Sequence, residues 1–317
     1  MAAVLDLRSL AVPVVQAGMG LISGHELAAA VSEAGGLGTI AGARTDIAAE
    51  IAAARGLTGR PIAVNLLLPF VRPGDVEAAA AADVIVTFWG APRRLAATTW
   101  IHQCGSVEEA KAAAWAGADA VIAQGVESGG HVRGTTPSLE LLEQIRGAVD
   151  VPVLVAGGIV DAQGVRAALD AGAVAAVVGT RFLVSEESLA HAEYKRRCVR
   201  AEETVLTELF GLGWPHAPHR VIHNAATRRW LGHEDRGPGW IRMVNQTFTG
   251  LTTVLPPAAQ DRLLRAQPPR LPLLVPQPPT EDEPENLVDW RPLYAGANVG
   301  CIADIPTATE LVRILTP

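Results

Sequence analysis

The sequence has few cysteines, no run of basic residues and no long apolar stretch, and each absence removes a class of protein. Cys104, Cys198 and Cys301 lie far apart and form no CxxC pair, which predicts a reducing, cytoplasmic setting rather than a disulfide scaffold. The net charge of −7 argues against nucleic acid as the main partner. No segment reaches the roughly 20 apolar residues of a membrane span. Asp6 and Arg8 interrupt the apolar N-terminal run, so no secretory signal is predicted.

Several catalytic and nucleotide-binding motifs are also missing. No G-x-S-x-G elbow accompanies a serine hydrolase, and neither G-x-G-x-x-G nor G-x-x-x-x-G-K-[ST] marks a Rossmann or P-loop site. What the chain has is an apolar content of 49% with 19% charged residues over 317 positions. That composition favours a large folded core over disorder.

Short apolar runs recur along the first half of the chain, each followed by an alanine-rich stretch with a glycine suited to a helix C-cap. Examples of the helical stretches are "GHELAAAVSEAGG", "SVEEAKAAAWAGA" and "DAQGVRAALDAGA". The crossover at residues 90–97 is the weakest, with room for about two helical turns. The predicted strands lie within residues 12–19, 37–42, 61–67, 83–89, 98–104, 119–125, 151–158 and 175–182.

Continuous apolar strands that alternate with helices predict a parallel sheet covered on both faces. Eight such units favour an α/β fold of the closed (β/α)8 TIM-barrel type, with a doubly wound open sheet as the alternative. In a barrel, the polar or glycine-bearing strand ends all face one mouth. Those ends are residues 16–19, Asn65, His102, residues 124–131, Gly157–Gly158 and Gly179–Thr180.

After about residue 182 the pattern changes. We expect residues 1–182 to form the barrel core, closed by segments of 290–317, and residues 183–289 to form a helical and proline-rich cover. Within that cover, "SLAHAEYKRRCVRAEETVLTELF" predicts one amphipathic helix or two. Residues 256–291 are rich in proline and predict no regular structure.

Two neighbouring strand ends carry the glycines Gly157, Gly158 and Gly179, followed by Thr180. In barrels, the loops after the last two strands commonly hold a phosphate through backbone N–H groups. Each loop alone could equally be a tight βα turn. The two together favour phosphate binding.

Three polar residues at strand ends are candidates for ligand contacts. Asn65 and Gln124 can each present a donor and an acceptor to a flat heterocycle, or satisfy a loop. His131 follows two glycines, and a neutral imidazole is a good proton acceptor near neutral pH. A loop histidine bonded to a backbone carbonyl is the alternative for His131.

The stretch "WPHAPHRVIH" brings three histidines close in sequence, His216, His219 and His223. Two prolines interrupt a helix there and no carboxylate or cysteine completes a site, so a structural or surface role is favoured over a metal site. Cys104 has no neighbouring base in the local sequence and is interpreted as a small buried residue.

Six segments together resemble the nitronate monooxygenases, formerly called 2-nitropropane dioxygenases. They are "PVVQAGMG", "AVNLLLPF", "AQGVESGGHVRG", "PVLVAGGI", "VVGTRF" and "YAGANVG", in the family's order from residue 13 to residue 300. The resemblance implies an FMN-dependent barrel that uses O₂ to oxidise alkyl nitronates to a carbonyl compound and nitrite, without a metal.

The same resemblance implies roles for individual residues. His131 is the active-site base. The residues implied in cofactor binding are Ala17, Gly18 and Met19 along the flavin ring, Asn65 and Gln124 on its polar edge, Gly129 and Gly130 against it, Gly157, Gly158, Gly179 and Thr180 at the phosphate, and Tyr294 and Gly296 in the closing segment. Glu127 and Arg133 are interpreted as residues that shape the loop.

Two departures from the family pattern bear on substrate size. Val132 lengthens the loop before Arg133, and the bulky Trp89 ends the strand "VIVTFW". The alternative function is that of an NAD(P)H-dependent flavin reductase of the same fold, such as an enoyl-acyl carrier protein reductase or a quinone reductase. The expected partners are a small nitro compound and O₂, with no nucleic acid or membrane, in a monomer or homodimer.

Overall fold

The computed structural model of the chain describes residues 5–43, 45–96, 99–211, 216–232, 236–247 and 276–317. The strands are β1 (Val14–Gln16), β2 (Gly38–Ala41), β3 (Ile62–Leu67), β4 (Val84–Phe88), β5 (Thr99–Cys104), β6 (Ala120–Gln124), β7 (Gly130–His131), β8 (Val153–Ala156), β9 (Ala176–Val178), β10 (Thr204–Thr207) and β11 (His219–Ile222). The helices are α1 (His25–Glu33), α2 (Ile47–Leu57), α3 (Asp75–Ala79), α4 (Val107–Trp115), α5 (Ser138–Arg146), α6 (Ala162–Asp170), α7 (Thr180–Leu183), α8 (Ala192–Arg200), α9 (Ala225–Trp230), α10 (Gly239–Thr247) and α11 (Ala308–Leu315).

Eight of the strands form one parallel sheet in the order β1-β9-β8-β6-β5-β4-β3-β2. The sheet closes between its two edge strands, where Val15 bridges Leu37 in parallel. The Gln16 N–H donates to the Leu37 carbonyl at 2.9 Å, and the Leu37 N–H donates to the Val14 carbonyl at 3.0 Å. The predicted closed (β/α)8 barrel is therefore confirmed, and the open sheet is excluded.

Side chains alternate across the barrel wall, as the two-residue repeat of a strand requires. On β5, Ile101 belongs to the cluster inside the barrel, whereas Trp100 and Cys104 belong to the cluster between the sheet and the helices. His102 shares the outward face with Trp100 and Cys104, so the expectation that it faces the mouth is wrong. The alternation gives the inward position to Gln103, which is half-buried.

His102 is buried behind the barrel wall in a small polar network. The Trp100 Nε1–H donates to Thr87 Oγ1 at 2.8 Å, and Thr87 Oγ1 lies 2.8 Å from His102 Nδ1. Because Thr87 Oγ1 accepts from the indole, its own proton is available to His102 Nδ1. Burial lowers the pKa of His102 to about 4, so its imidazole is neutral at physiological pH.

The predicted helices form where the sequence supplies caps. Ser106 accepts from the Glu109 N–H at the start of α4, and Asp161 accepts from the Gly164 N–H at the start of α6. The weak crossover at residues 90–97 holds no helix among its described residues. A capping box between Thr307 and Glu310 begins α11, which packs against α1 and α6.

A second, antiparallel sheet in the order β10-β11-β7 lies outside the barrel. The predicted helical pattern over residues 188–210 is correct only for α8, because β10 occupies Thr204–Thr207. Its residues alternate between half-buried and buried, and its threonines and valine are β-branched, which suits a strand with one covered face. Most of the proline-rich stretch lies outside the described residues; its described end has an isolated bridge between Thr280 and Ala190.

No helix among the described residues is long and apolar enough to cross a membrane. All three cysteines are free thiols: Cys104 and Cys198 are buried, and Cys301 is exposed. Burial raises the pKa of the Cys104 thiol, so the interpretation of Cys104 as a small buried residue holds.

Candidate active site

The loop that follows β6 is held in place by two side chains. Gln124 donates through Nε2 to the His131 carbonyl at 2.9 Å and accepts at Oε1 from the Arg133 N–H at 3.1 Å. Glu127 accepts from the Ser138 N–H at 3.0 Å, at the start of α5. Both polar ends of Gln124 are thus engaged by the loop backbone, so its contact with a cofactor stays a prediction. Glu127 shapes the loop as expected.

The predicted phosphate glycines lie beside this loop. Gly157 and Gly158 have φ values of +129° and +70°, a region that side chains disfavour. A Cβ added at Gly157 would lie 3.2 Å from Ser128 Oγ, and one added at Gly158 would lie 3.1 Å from Asn298 Nδ2. The structure therefore gathers the end of β8, the loop after β6 and the C-terminal segment around one cradle.

The C-terminal segment closes over this cradle through three hydrogen bonds. The Gly296 N–H donates to Thr180 Oγ1 at 2.9 Å, and the Ala297 N–H donates to the Glu127 carbonyl at 2.9 Å. Asn298 Nδ2 donates to the Gly158 carbonyl at 2.6 Å. We call residues 295–298, held in this way, the C-terminal clasp. The clasp brings the predicted Gly296 to the predicted Thr180.

The first strand ends in a loop that packs against the neighbouring strands. Gln16 accepts at Oε1 from the Thr39 N–H at 2.9 Å and donates through Nε2 to Ser23 Oγ at 2.9 Å. Gly18 lies so close to Asn65 that a Cβ at Gly18 would overlap the Asn65 side chain. The predicted Gly18 and Asn65 are therefore in direct contact at the mouth.

Three aromatic or imidazole rings surround His131. The ring centroid of His131 lies 5.1 Å from that of His219, 5.6 Å from that of Tyr294 and 6.1 Å from that of Trp89. We call Trp89, His219 and Tyr294 the ring enclosure. Arg133 stacks on Trp89 with its guanidinium carbon 5.0 Å from the ring centroid. The His131 Nε2 is buried, whereas the residue as a whole is half-buried.

This enclosure sets the charge state of His131. Burial, with a smaller effect from His219, holds the pKa of His131 well below its usual 6.5. Burial also lowers the pKa of His219 to about 4. Both rings are therefore neutral at physiological pH, and His131 has the protonation state that a proton acceptor needs.

Sequence reasoning did not place three residues that the structure brings to the mouth: His219, Ser128 and Asn298. Their positions depend on pairing between distant segments, whereas Trp89 was already named as a residue that bears on substrate size. His219 had one usable signal: it begins "HRVI", whose valine and isoleucine are β-branched and favour a strand. The preceding prolines had favoured a surface or structural interpretation.

Three neutral histidines predict acid-sensitive stability. The unfolded chain protonates His102, His131 and His219 near pH 6.5, but the folded chain keeps His102 and His219 neutral down to about pH 4, and burial holds the pKa of His131 well below 6.5. The free energy of unfolding is therefore at its full value above pH 6.5. Each histidine lowers it by about 1.4 kcal/mol per pH unit as the pH falls towards 4.

Urea titrations followed by tryptophan fluorescence, at half-unit steps from pH 7.5 to 4.5, measure this slope. His219→Gln should reduce the slope by about 1.4 kcal/mol per pH unit. His223→Gln, at a histidine that is 41% exposed, is the matched control and should leave the slope unchanged. An equal slope in wild type and His219→Gln would contradict the neutral state of His219.

Two buried hydroxyl groups at the mouth bear on whether a flavin ring and phosphate fit there. Among the described residues, Ser128 Oγ and Thr39 Oγ1 are buried without a hydrogen-bond partner. Ser128 lies at the glycine cradle, and Thr39 lies at the loop that contacts Asn65. A buried hydroxyl without a partner is costly unless a ligand satisfies it. The residues present therefore fit a flat, phosphorylated cofactor. No group of three or more metal-ligating side chains occurs in the described part of the chain.

The fold and the mouth define a (β/α)8 barrel protein with a ligand site at the carboxyl ends of its strands. The sequence profile of the nitronate monooxygenase family matches residues 2–98 and 92–237. The chain therefore belongs to the nitronate monooxygenase family, as the resemblance of its motifs predicted.

Individual relatives include a nitronate monooxygenase of Pseudomonas aeruginosa, 35% identical, with 68% of this chain and 79% of that protein covered. A (3aS,4S,5R,7aS)-5-hydroxy-7a-methyl-1-oxo-octahydro-1H-indene-4-carboxyl-CoA dehydrogenase of Rhodococcus jostii is also 35% identical, over 70% of this chain. The chain spans 65% of that dehydrogenase's length.

Two solved structures share the fold over nearly the whole chain. FabK from Thermotoga maritima superposes with a TM-score of 0.76 at 29% identity, covering 98% of this chain and 93% of FabK. Nitroalkane oxidase from Streptomyces ansochromogenes superposes with a TM-score of 0.72 at 31% identity, covering 98% of this chain and 96% of the oxidase.

Proposed function

We propose that this protein oxidises alkyl nitronates, and the parent nitroalkanes, with FMN and O₂, giving a carbonyl compound and nitrite. The observation that carries the proposal is His131, a half-buried neutral imidazole on the loop after β6, the same loop that brings Ser128 to the glycine cradle. Family membership supplies the reaction class, and the free cysteines are compatible with action in the cytoplasm.

The cofactor is assigned to residues by their positions. Gly157, Gly158, Gly179 and Thr180 would hold the phosphate, with the Ser128 hydroxyl as a further donor. Ala17, Gly18, Met19 and Asn65 would line the ring, with Gln124, Gly129, Gly130 and the clasp beneath and beside it. Bound FMN would supply the redox chemistry, accepting electrons from the nitronate and passing them to O₂.

His131 has one task in this scheme. A neutral nitroalkane carries an acidic C–H next to the nitro group, and the neutral imidazole takes that proton to leave the nitronate. Trp89, His219 and Tyr294 pack against the base, and the burial of the imidazole keeps it unprotonated and ready to accept a proton at physiological pH. A substrate supplied as the nitronate anion bypasses this step.

The covering segment is part of the proposal. The described residues of the segment 183–289 would shield the mouth, since β11 pairs with β7 and since Ala217 packs against Phe88 and Trp89. Through this pairing, strands of the cover and the active-site loop belong to the same antiparallel sheet.

The test is an oxygen-electrode assay with ethylnitronate and propionate-3-nitronate, combined with detection of nitrite and of flavin released on heating. We expect oxygen uptake with nitrite formation, and FMN as the released flavin. NADH and NADPH are mixed anaerobically with the same preparation. Fast bleaching of the flavin by either nucleotide, without nitrite from nitronates, would overturn the proposal in favour of a flavin reductase.

A second candidate function comes from the Rhodococcus jostii dehydrogenase, which is as similar in sequence as the nitronate monooxygenase of Pseudomonas aeruginosa, at 35% identity each. The chain would then dehydrogenate an alicyclic hydroxy-acyl CoA thioester. Anaerobic flavin bleaching by such a thioester, with no oxygen uptake from nitronates, distinguishes this activity from the first.

Trp89 is expected to limit substrate size. Its ring stands edge-on to His131 and is 8% exposed, with Arg133 stacked on it. Trp89→Ala removes this wall, so kcat/KM should rise for a long-chain nitronate and fall for ethylnitronate, changing the ratio roughly tenfold. The kcat/KM values for ethylnitronate and 1-hexylnitronate measure it. Trp115→Ala, at a 92% exposed tryptophan, is the matched control. An unchanged ratio would show that Trp89 does not bound the pocket.

A further inference from the structure

His219 faces His131 across two paired strands. The two residues are direct partners in the antiparallel pairing of β11 with β7, so their side chains project to the same face. The Val132 N–H donates to the Pro218 carbonyl at 2.8 Å and fixes this register. His219 is completely buried.

Both ring nitrogens of His219 are engaged by backbone. The Phe210 N–H donates to His219 Nε2 at 3.1 Å, so Nε2 is an acceptor and carries no proton. The proton must then lie on Nδ1, which is 3.1 Å from the Ala217 carbonyl and donates to it. Protonating Nε2 would set two N–H groups against each other. His219 is therefore locked as one neutral tautomer and is unsuited to act as a base itself.

The two backbone groups that His219 holds belong to Phe210 and Ala217, which lie next to His131 and its ring enclosure. After Phe210 comes Gly211, where an added Cβ would lie 3.9 Å from His131 Nε2. Ala217 packs against Phe88 and Trp89, which carries one wall of the ring enclosure. The imidazole of His219 thus links the backbone of Phe210 to the backbone of Ala217, next to the base.

We propose that His219 is a positioning residue, which clamps Phe210 and Ala217 so that the enclosure around His131 stays closed and dry. This inference rests on the proposed function of His131 as the proton acceptor. His219 does not touch the reacting atoms. Its effect reaches the substrate through the orientation and the hydration of His131.

The closed enclosure that His219 maintains explains the neutral state of His131 better than any charged side chain nearby does. Tyr294 faces His131 from the C-terminal segment. Burial raises the pKa of Tyr294, so its phenol stays protonated and carries no charge. The charged groups on the elements packed against His131 each have another partner. Arg133 pairs with Glu109 at 2.6 Å, and Glu208 lies 3.7 Å from Arg236. Glu127 accepts from the Ser138 N–H, and Arg220 donates to the Val126 carbonyl at 2.7 Å. Exclusion of water is the main cause that remains, and it depends on closure.

The test compares His219→Ala, His219→Gln and the control His223→Gln in the flavin-loaded enzyme. Glutamine places an oxygen near the position of Nε2 and can keep the Phe210 N–H satisfied, whereas alanine removes both bonds and opens a cavity to water. His223 follows β11 in sequence but is exposed, so its variant reports only general effects of mutation.

Two readouts are measured for each variant. The first is the pH dependence of kcat/KM with a neutral nitroalkane. The second is the ¹⁵N-histidine NMR titration of His131, assigned by the signal that is missing in His131→Asn. With His219→Ala, both midpoints should rise by about one pH unit towards the ordinary histidine value. The kcat should fall about tenfold because the base is less well oriented. His219→Gln should retain most of the wild-type behaviour, and His223→Gln all of it.

An unchanged His131 titration in His219→Ala would overturn the inference, even if activity falls. Equal loss in His219→Gln and His219→Ala would also overturn it, because a clamp must respond to the retained acceptor. If His219→Ala does not fold, His219→Leu replaces it, because leucine fills the space but makes neither hydrogen bond. The His131 midpoint should then be higher in His219→Leu than in His219→Gln, and equal midpoints in these two variants would overturn the inference. Failure of the proposed function gives a different result: full nitroalkane activity in His131→Asn, with the NMR response to His219 intact.

Discussion

We expect His131→Asn to lower kcat/KM for neutral nitroalkanes by roughly 10²- to 10⁴-fold, the usual contribution of a general base. The flavin should stay bound, because the asparagine leaves the backbone bond from Gln124 to residue 131 intact. Turnover of preformed nitronates should fall far less, since the anion needs no deprotonation. Steady-state kinetics with nitroethane and ethylnitronate, run in parallel, measure the two effects.

The pH dependence gives the same prediction a second arm. Burial holds the pKa of His131 well below 6.5, so the neutral base is present at every pH above that low value. The kcat/KM of the wild-type enzyme for nitroalkane should therefore stay level down to pH 6 and fall only at more acidic pH. Equal losses with nitroethane and ethylnitronate in His131→Asn, or release of its flavin, would instead give His131 a structural role.

The barrel could be predicted from the sequence because its signals are local. A strand buried on both faces is a continuous apolar run, and each run ended in a glycine or a polar residue. All eight predicted runs contain a barrel strand. Eight units are the strand number of a closed barrel, but an open sheet of eight strands has the same local pattern, and the pairing of Val15 with Leu37 decides between them.

Two features of the fold lay beyond such signals. His102 lies in an apolar run, and the run alone does not show which side of the barrel wall the His102 side chain occupies. In the structure Ile101 points into the barrel and Trp100 points outward, so His102 points outward as well. The stretch of β10 continues the helical region of α8 without a glycine or proline break, so the helix was extended into it. Its β-branched residues and its pairing with β11 make it a strand.

The candidate site divides in the same way. Gly157, Gly158, Gly179 and Thr180 could be found because barrel topology brings successive strand ends together. The ring enclosure could not, because Trp89, His219 and Tyr294 come from three distant segments whose meeting depends on the β7–β11 pairing. The family resemblance indicated Tyr294 but not His219, because His219 meets His131 only in the folded chain.

Gly129→Ala is expected to weaken FMN binding at least tenfold, which corresponds to about 1.4 kcal/mol. A Cβ at Gly129 would lie 2.7 Å from the Ala295 carbonyl carbon and 2.7 Å from the Gly296 nitrogen. These are backbone atoms and cannot rotate away, so the C-terminal clasp must move. Its hydrogen bonds to Thr180, Glu127 and Gly158 are then lost or stretched, and the glycine cradle opens.

Flavin fluorescence titration of the stripped and reloaded protein measures this effect. Gly56→Ala is the matched control, because an added Cβ there meets nothing within 4 Å and lies near the end of α2. Wild-type affinity in Gly129→Ala would mean that the clasp closes beside the cofactor without contributing to its retention. A weakened clasp should also leave the His131 titration unchanged, since Gln124 and the β7–β11 pairing hold His131 independently of residues 295–298. Cofactor retention and base positioning are thus separable functions of one loop, with Gly129 serving the first and His131 the second.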